Sequence, residues 1–204
     1  ATEACPCTLF GSRAPSSATT DSGSAIEVGT RFTPSTSGRV TGIRFYKSDG
    51  AAGTHVGTVW SAAGIALATV TFTGETASGW QTATLAAPLN VTAGTTYTVS
   101  YRAPAGGYSA ITGFFGATAW TRGPLTAAGA PNGMFRAGGG FPSTSGAGAN
   151  YLVDVVFAPP SNLALGKTTT QSSTLTGTGS TAAASLAVDG NTSGVYTNNS
   201  VTHT

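Results

Sequence analysis

Little of this sequence is charged. Lys, Arg, Asp and Glu together make up 8% of the 204 residues, against about a quarter in an ordinary soluble domain. The nine Lys and Arg are scattered without a basic run, and the formal net charge is +2. That pattern excludes the electrostatic footprint of a nucleic-acid binder. There is no run of 18 apolar residues, so no segment reads as a membrane-spanning helix. No segment has a helical period, and neither a Gly-x-Ser-x-Gly elbow nor a His-Glu-x-x-His pair occurs. Acid–base groups are few: two His and seven Asp or Glu. The chain is therefore expected not to be an enzyme by itself. Two carboxylates meeting in space, as in a glycosidase, would be its one route to catalysis, and a catalytic domain in a longer parent is compatible with this.

Cysteine is nearly absent too. Cys5 and Cys7 flank Pro6, and three readings stand: a strained local bridge, two free thiols, or a bridge to another part of a longer parent. A metal site built on Cys-Pro-Cys lacks the four ligands that zinc takes. The opening ATEACPC holds no apolar signal core, so a signal peptide, had there been one, would already be removed.

What the chain does have is 29 Gly, abundant Thr, Ser and Ala, 40% hydrophobic residues, and aromatics (Phe 9, Tyr 6, Trp 3). Disordered chains combine high net charge with few aromatics, so a packed core is expected. Alternation of apolar and polar residues marks strands over 26–32, 39–46, 54–60, 67–72, 80–85, 95–101 and 151–157. Short strands with Gly-containing turns predict an all-β fold, an antiparallel β-sandwich of jelly-roll or immunoglobulin-like type. Residues 103–150 form a Gly-rich excursion whose aromatics (Tyr108, Phe114, Phe115, Trp120, Phe135, Phe141) argue for order. Pro159 and Pro160 cannot continue a central strand. The chain thus divides into a sandwich domain over 1–158, a linker over 159–161 and a second segment over 162–204.

Candidate site residues follow from side-chain chemistry. Trp120, Arg122 and Tyr108 combine flat amphipathic rings with a guanidinium, which suits stacking on a sugar and hydrogen bonding to its hydroxyls or to a carboxylate. Phe141, Trp60 and Trp80 are further aromatics, with Trp80 expected in the core. His55 reads as a strand histidine bonded locally, or as a ligand contact. Asp154 sits among valines in the last strand, where a buried unpaired carboxylate is costly. It is expected to face solvent, to pair with Arg31 or Arg44, or to bind calcium with Glu27 or Asp21, since calcium takes several hard oxygens.

Several phrases in order, CPCTLF, GIRFYKSDGAAGTHVGTVW, ETASGWQTATLAAPLNVTAGTTYTVSY and NYLVDVVF, resemble a bacterial extracellular family catalogued as domain of unknown function 4082. The resemblance covers about residues 5–158. It implies a secreted multidomain setting beside carbohydrate-binding and glycoside-cleaving modules, and it assigns no activity to particular residues.

The second segment carries NLALGKTTTQSST, then Leu186-Ala187-Val188-Asp189-Gly190-Asn191, then Ser200-Val201-Thr202-His203-Thr204. It resembles the opening of an F-type (fucose-binding) lectin domain, with a discoidin-like or family 32 carbohydrate-binding module as its relative. The resemblance implies a jelly-roll holding structural calcium. Asp189 matches a calcium-binding carboxylate, Leu186, Asn191 and Ser200 match further oxygen donors, and His203 matches the histidine that reaches fucose. Val201 stands where the family usually has Cys, so that family's disulfide is not expected. The two arginines that should follow are missing, so residues 162–204 read as an incomplete lectin domain and residues 1–204 are expected not to bind fucose.

Together these readings predict a secreted, non-catalytic carbohydrate-binding or adhesion protein, part of a larger extracellular chain, with glycans or polysaccharide as partners. The alternatives are a structural spacer or filament unit that self-associates through exposed strands, and an accessory region of a glycoside-degrading enzyme. The arrangement of Trp120, Arg122, His55 and Asp154 discriminates among them: a shared concavity favours binding, scattering favours the spacer.

Overall fold

The computed structural model describes residues 5–15 and 20–160, together with 168, 170 and 184–187. By its contacts the chain divides into two units, Ala1–Pro160 and Ser161–Thr204. Of the second unit, a 3-10 turn at Ala184–Ala187 is described and includes the backbone of Leu186. Asp189, Asn191, Ser200 and His203 lie outside the described residues.

The first unit is built of antiparallel strands: β1 (Thr20–Asp21), β2 (Ile26–Pro34), β3 (Gly38–Lys47), β4 (Val56–Trp60), β5 (Ala66–Thr71), β6 (Gly79–Val91), β7 (Tyr97–Ala103), β8 (Gly107–Tyr108), β9 (Trp120–Arg122), β10 (Leu125–Ala127), β11 (Met134–Ala137), β12 (Thr144–Ser145) and β13 (Val153–Ala158). A three-stranded sheet runs β13-β3-β6, and an eight-stranded sheet runs β12-β11-β2-β7-β4-β5 with β10 and β9 attached through β2. A small ribbon pairs β1 with β8.

Strand alternation sends one set of side chains between the two sheets. Val153, Val155 and Phe157 on β13 and Val40, Ile43 and Phe45 on β3 are buried, as are Val28 and Phe32 on β2, Val59 on β4, and Val99 and Tyr101 on β7. Phe45 bridges the sheets: its ring stacks on Tyr101 at 4.2 Å and meets Phe72 edge-on at 4.7 Å. Each such side chain contributes about 1.5–3 kcal/mol through burial. On β6 the register against β3 shifts between the pairs Val40–Leu89 and Gly42–Thr84. Pro88 lies in that irregular stretch, where its missing N–H interrupts no regular ladder.

The excursion after β7 is ordered by joining the larger sheet. β10 and β11 both pair with β2, at Pro34–Thr33 and at Gly29–Ile26. Between them the Asn132 amide substitutes for a strand: its Oδ1 accepts the Arg31 N–H at 2.9 Å and its Nδ2 donates to the Arg31 carbonyl at 3.0 Å. The short strands β8–β12 are elements that alternation does not reveal, because two to four residues are too few to show a period.

Candidate functional site

Asp154 follows Val153 on β13, so alternation turns it away from the core, to the outer face of the three-stranded sheet. It is nevertheless 1% exposed. An N-terminal arm covers it. Cys7 pairs with Phe157 through two hydrogen bonds of 2.8 Å. The Asp154 carboxylate then accepts the backbone N–H groups of Leu9 and Phe10, each at 2.8 Å, and that of Val155 at 2.8 Å. Arg44 stands directly across the ladder from it.

The arm's carbonyls are held just as fully. Arg122 donates to the Thr8 carbonyl at 3.0 Å, Trp120 Nε1 to that of Leu9 at 3.0 Å, and Trp80 Nε1 to that of Arg13 at 2.8 Å. Arg44 donates to the Gly11 carbonyl. A segment without regular secondary structure must satisfy its backbone groups somewhere, and these side chains do so. Gly11 has φ +59, and a methyl group there would sit 2.5 Å from the Arg122 guanidinium. The left-handed backbone there favours glycine, and a larger residue would also have to displace the guanidinium. Cys5 and Cys7 form a disulfide at the base of the arm.

Between Phe10–Ala14 of the arm and Trp120 and Arg122 of β9 lies an open cleft of about 460 Å³. Exposed Arg13 lays its guanidinium over the Trp120 ring at 4.6 Å and over Phe114 at 5.2 Å. Arg44 is stacked over Trp80 at 3.8 Å. Burial pushes the Asp154 carboxyl above its ordinary range, while the N–H groups of Phe10 and Leu9 and the Arg44 charge pull it back. The Arg44 guanidinium is in turn lowered by burial, supported by Asp154 and opposed by Arg122.

Trp120, Arg122 and Asp154 are thus brought together, and Arg44 is the one of the two expected cations that stands beside Asp154. The other candidates lie elsewhere. Tyr108 packs edge-on against Tyr151 at 5.5 Å on β8 and does not line the cleft. Trp80 is half-buried on the outer face instead of lying in the core. Its N–H reaches an arm carbonyl, which a position inside the core would not allow. Asp21 pairs with Gly107 in the β1–β8 ribbon. Glu27 is on β2, on the outer face of the opposite sheet, where it accepts the Ser100 hydroxyl that itself accepts Trp60 Nε1 at 2.7 Å. Glu27 and Asp154 therefore do not meet. Among the described residues no group of three His, Cys, Asp or Glu converges as a metal site. His55 is fully buried against Phe45, with Nδ1 2.9 Å from both carboxylate oxygens of Glu75, which also holds Lys47 at 2.9 Å. His55 lies just before β4 and not within a strand, and its partner comes from the loop after β5.

The sequence model of a family described as Domain of unknown function (DUF4082) matches residues 12–153. The chain belongs to this family. No curated protein shows a significant match to the chain. The DUF4082 match includes Arg13, Arg44, Trp80, Trp120 and Arg122, and stops one residue before Asp154. Phe10 and Gly11, which complete the arm side of the cleft, precede it. Arg13 and Phe10 are the site residues of this DUF4082 domain that sequence reasoning missed. The arm has no periodicity, and Leu9 finds its acceptor 145 residues away. The available signal was the CPCTLFGSRAP stretch itself, with apolar residues beside a lone arginine.

Proposed function

We propose that the first unit is a non-catalytic carbohydrate-binding module of a secreted multidomain protein, and that it takes its ligand in the cleft between the arm and β9. One observation carries the reading: Trp120, Arg122 and Arg13 converge on one open cleft of about 460 Å³, within the size range of small-ligand sites. The Arg13 guanidinium stacked on the indole continues its flat surface, which is the geometry that packs against the C–H face of a pyranose while nearby donors bind hydroxyls. Among the described residues the lining holds guanidinium and hydroxyl groups and no carboxylate, which suits hydrogen bonding. His55 and Glu27 are remote from it. The Cys5–Cys7 disulfide supports an oxidising, extracellular setting.

The second unit belongs to the same proposal as the opening of a fucose-type lectin domain. In a complete domain of that type, calcium would be held by Asp189 with Leu186, Asn191 and Ser200, and fucose reached by His203; residues 1–204 by themselves are expected not to bind fucose. Its support is the two ordered sequence motifs.

A glycan array probed with the wild-type chain and with Arg13→Ala tests the cleft. The expected result is binding to a defined set of glycans, weakened at least fivefold in the variant. Binding to no glycan at all would refute the proposal. The alternative, a spacer or adhesive unit, is favoured by β5, an edge strand that pairs with β4 and has Ile65 (63% exposed) and Leu67 (40% exposed) beside it or within it. Uncharged exposed edges pair with other chains. Concentration-dependent association in sedimentation runs, abolished by Leu67→Lys, would support it.

A further inference from the structure

We infer that β5 is a self-association edge: two copies of this chain pair β5 to β5, antiparallel across a twofold axis, and close as a dimer. The inference is independent of the cleft. It rests on the edge that favours the spacer reading and gives that edge a definite partner.

The sheet edges of this fold are not alike. An unpaired edge invites pairing with another chain, and proteins blunt it with proline, charge, bulges, shortness or a covering segment. Among the described residues, the edge at β13 is covered by the arm, where Cys7 pairs with Phe157. The β6 edge carries Pro88 and a register shift against β3. β12 is two residues long, and β9 is three residues long and includes Arg122. β5 ends the eight-stranded sheet with six residues, ALATVT. Residues 56–74 contain no Asp, Glu, Lys, Arg or Pro. The one irregularity of β5 against β4 falls at its start, between Ala66 and Ala68, and leaves Ala68–Thr71 in regular register.

The direction of the backbone groups follows from one bond beyond the strand. The Phe72 N–H donates to the His55 carbonyl at 3.0 Å. Hydrogen-bonded pairs alternate along an antiparallel ladder, so Ala68 and Val70 turn their groups to β4, and Thr69 and Thr71 turn theirs to the open edge. Both threonines are exposed, and Ile65 and Leu67 beside them are the large hydrophobic side chains that the described residues leave exposed. A twofold axis at Val70 centres the regular stretch on itself and sets Thr69 opposite Thr71 of the second copy. Two copies then meet without like-charge contact and with Thr opposite Thr, a pairing that stabilises antiparallel sheets. Such pairing uses both β5 edges, so assembly stops at two. A six-residue strand spans only about 20 Å and buries less than the roughly 1,600 Å² of a standard interface, so the dimer is reversible and builds with concentration.

Sedimentation velocity of the full chain over rising concentration tests this. We expect monomer to pass into dimer and no larger species. Thr69→Lys combined with Thr71→Lys, and separately Thr69→Glu combined with Thr71→Glu, place like charges opposite each other and should each weaken association at least tenfold. An equimolar mixture of the two variants should restore a dimer with one copy of each, which also shows that both variants are folded. Growth beyond the dimer means head-to-tail pairing, which overturns the twofold contact while the spacer reading stands. A dimer unaffected by either variant, or variants that stay apart when mixed, places the contact elsewhere and overturns the inference. A monomer at every concentration overturns both the inference and the spacer reading. The glycan array on the cleft is decided separately from all of these outcomes.

Discussion

Asp154 and Glu27 are buried carboxylates on opposite outer faces of the sandwich, 1% and 3% exposed. Burial raises both above the ordinary carboxylate range. Their partners differ. Asp154 is met by backbone: three N–H groups, two of them from a segment 144 and 145 residues distant in sequence. Glu27 is met by the Ser100 hydroxyl, with the backbone of Gly140 and the charge of Arg102 alongside. One carboxylate folds a piece of chain that has no regular structure of its own. The other is closed over by neighbours already in place. In consequence the Asp154 face keeps an arm, two tryptophans and three arginines around an open cleft, whereas on the Glu27 face the loop at Gly139–Phe141 packs over the carboxylate and Trp60.

The contrast can be broken most directly at Asp154. Asp154→Ala leaves three N–H groups without their acceptor and Arg44 without its neighbouring negative charge, and should destabilise the fold by about 3–5 kcal/mol in urea unfolding. It should also free the arm to limited proteolysis ahead of the rest. Glu27→Ala should cost less, about 1–3 kcal/mol, the desolvation penalty of a buried hydroxyl left without its acceptor, and should leave arm proteolysis unchanged. Equal costs, or arm release in both variants, would erase the distinction.

Charge without loss of shape is tested by Glu27→Gln. The folded state binds the Glu27 proton more tightly than the unfolded chain does. The stability this group contributes is therefore complete below the unfolded value of about 4.3, and is lost as pH rises through the raised folded value. The Tm of Glu27→Gln should accordingly gain on that of the wild type as pH climbs from about 4 to 7. A constant difference would mean that Glu27 is not held above its ordinary range.

Smaller effects separate the parts of the arm. Cys5→Ser opens a loop with a sequence separation of 2. Little loop entropy is at stake, so the loss should be about 1–2 kcal/mol, well below that of Asp154→Ala, which would show that hydrogen bonds rather than the disulfide hold the arm down. Arg13→Ala removes the exposed cation–π contacts with Trp120 and Phe114 and should cost about 0.5–1 kcal/mol, the smallest stability change, while causing the largest loss in ligand binding.

How much of this was legible in the sequence follows from the range of the forces involved. Strands such as Ile26–Pro34 and Tyr97–Ala103 announce themselves because each places alternate residues in one core. Even there, Leu152 is fully buried with φ +51, so alternation fails just before β13. The outward direction of Asp154 was readable from Val153 and Val155, but its cover was not, because the arm is fixed by hydrogen bonds to distant residues and by no pattern of its own. Trp120 and Arg122 could be singled out by chemistry. That they grip Leu9 and Thr8, and that Arg13 completes their cleft, requires the third dimension. His55 was read as bonded within its neighbourhood, and Glu75 reaches it from across a hairpin.

The chain's three tryptophans divide between the faces: Trp80 and Trp120 bond arm carbonyls, and Trp60 bonds Ser100 above Glu27. Their indole N–H resonances therefore report on the two regions separately. Titrating the protein with a glycan that it binds on the array and following those three signals is the most direct test. The account predicts saturable shifts at Trp120, smaller ones at Trp80, and none at Trp60. Shifts confined to Trp60, or no shift at any indole, would contradict it.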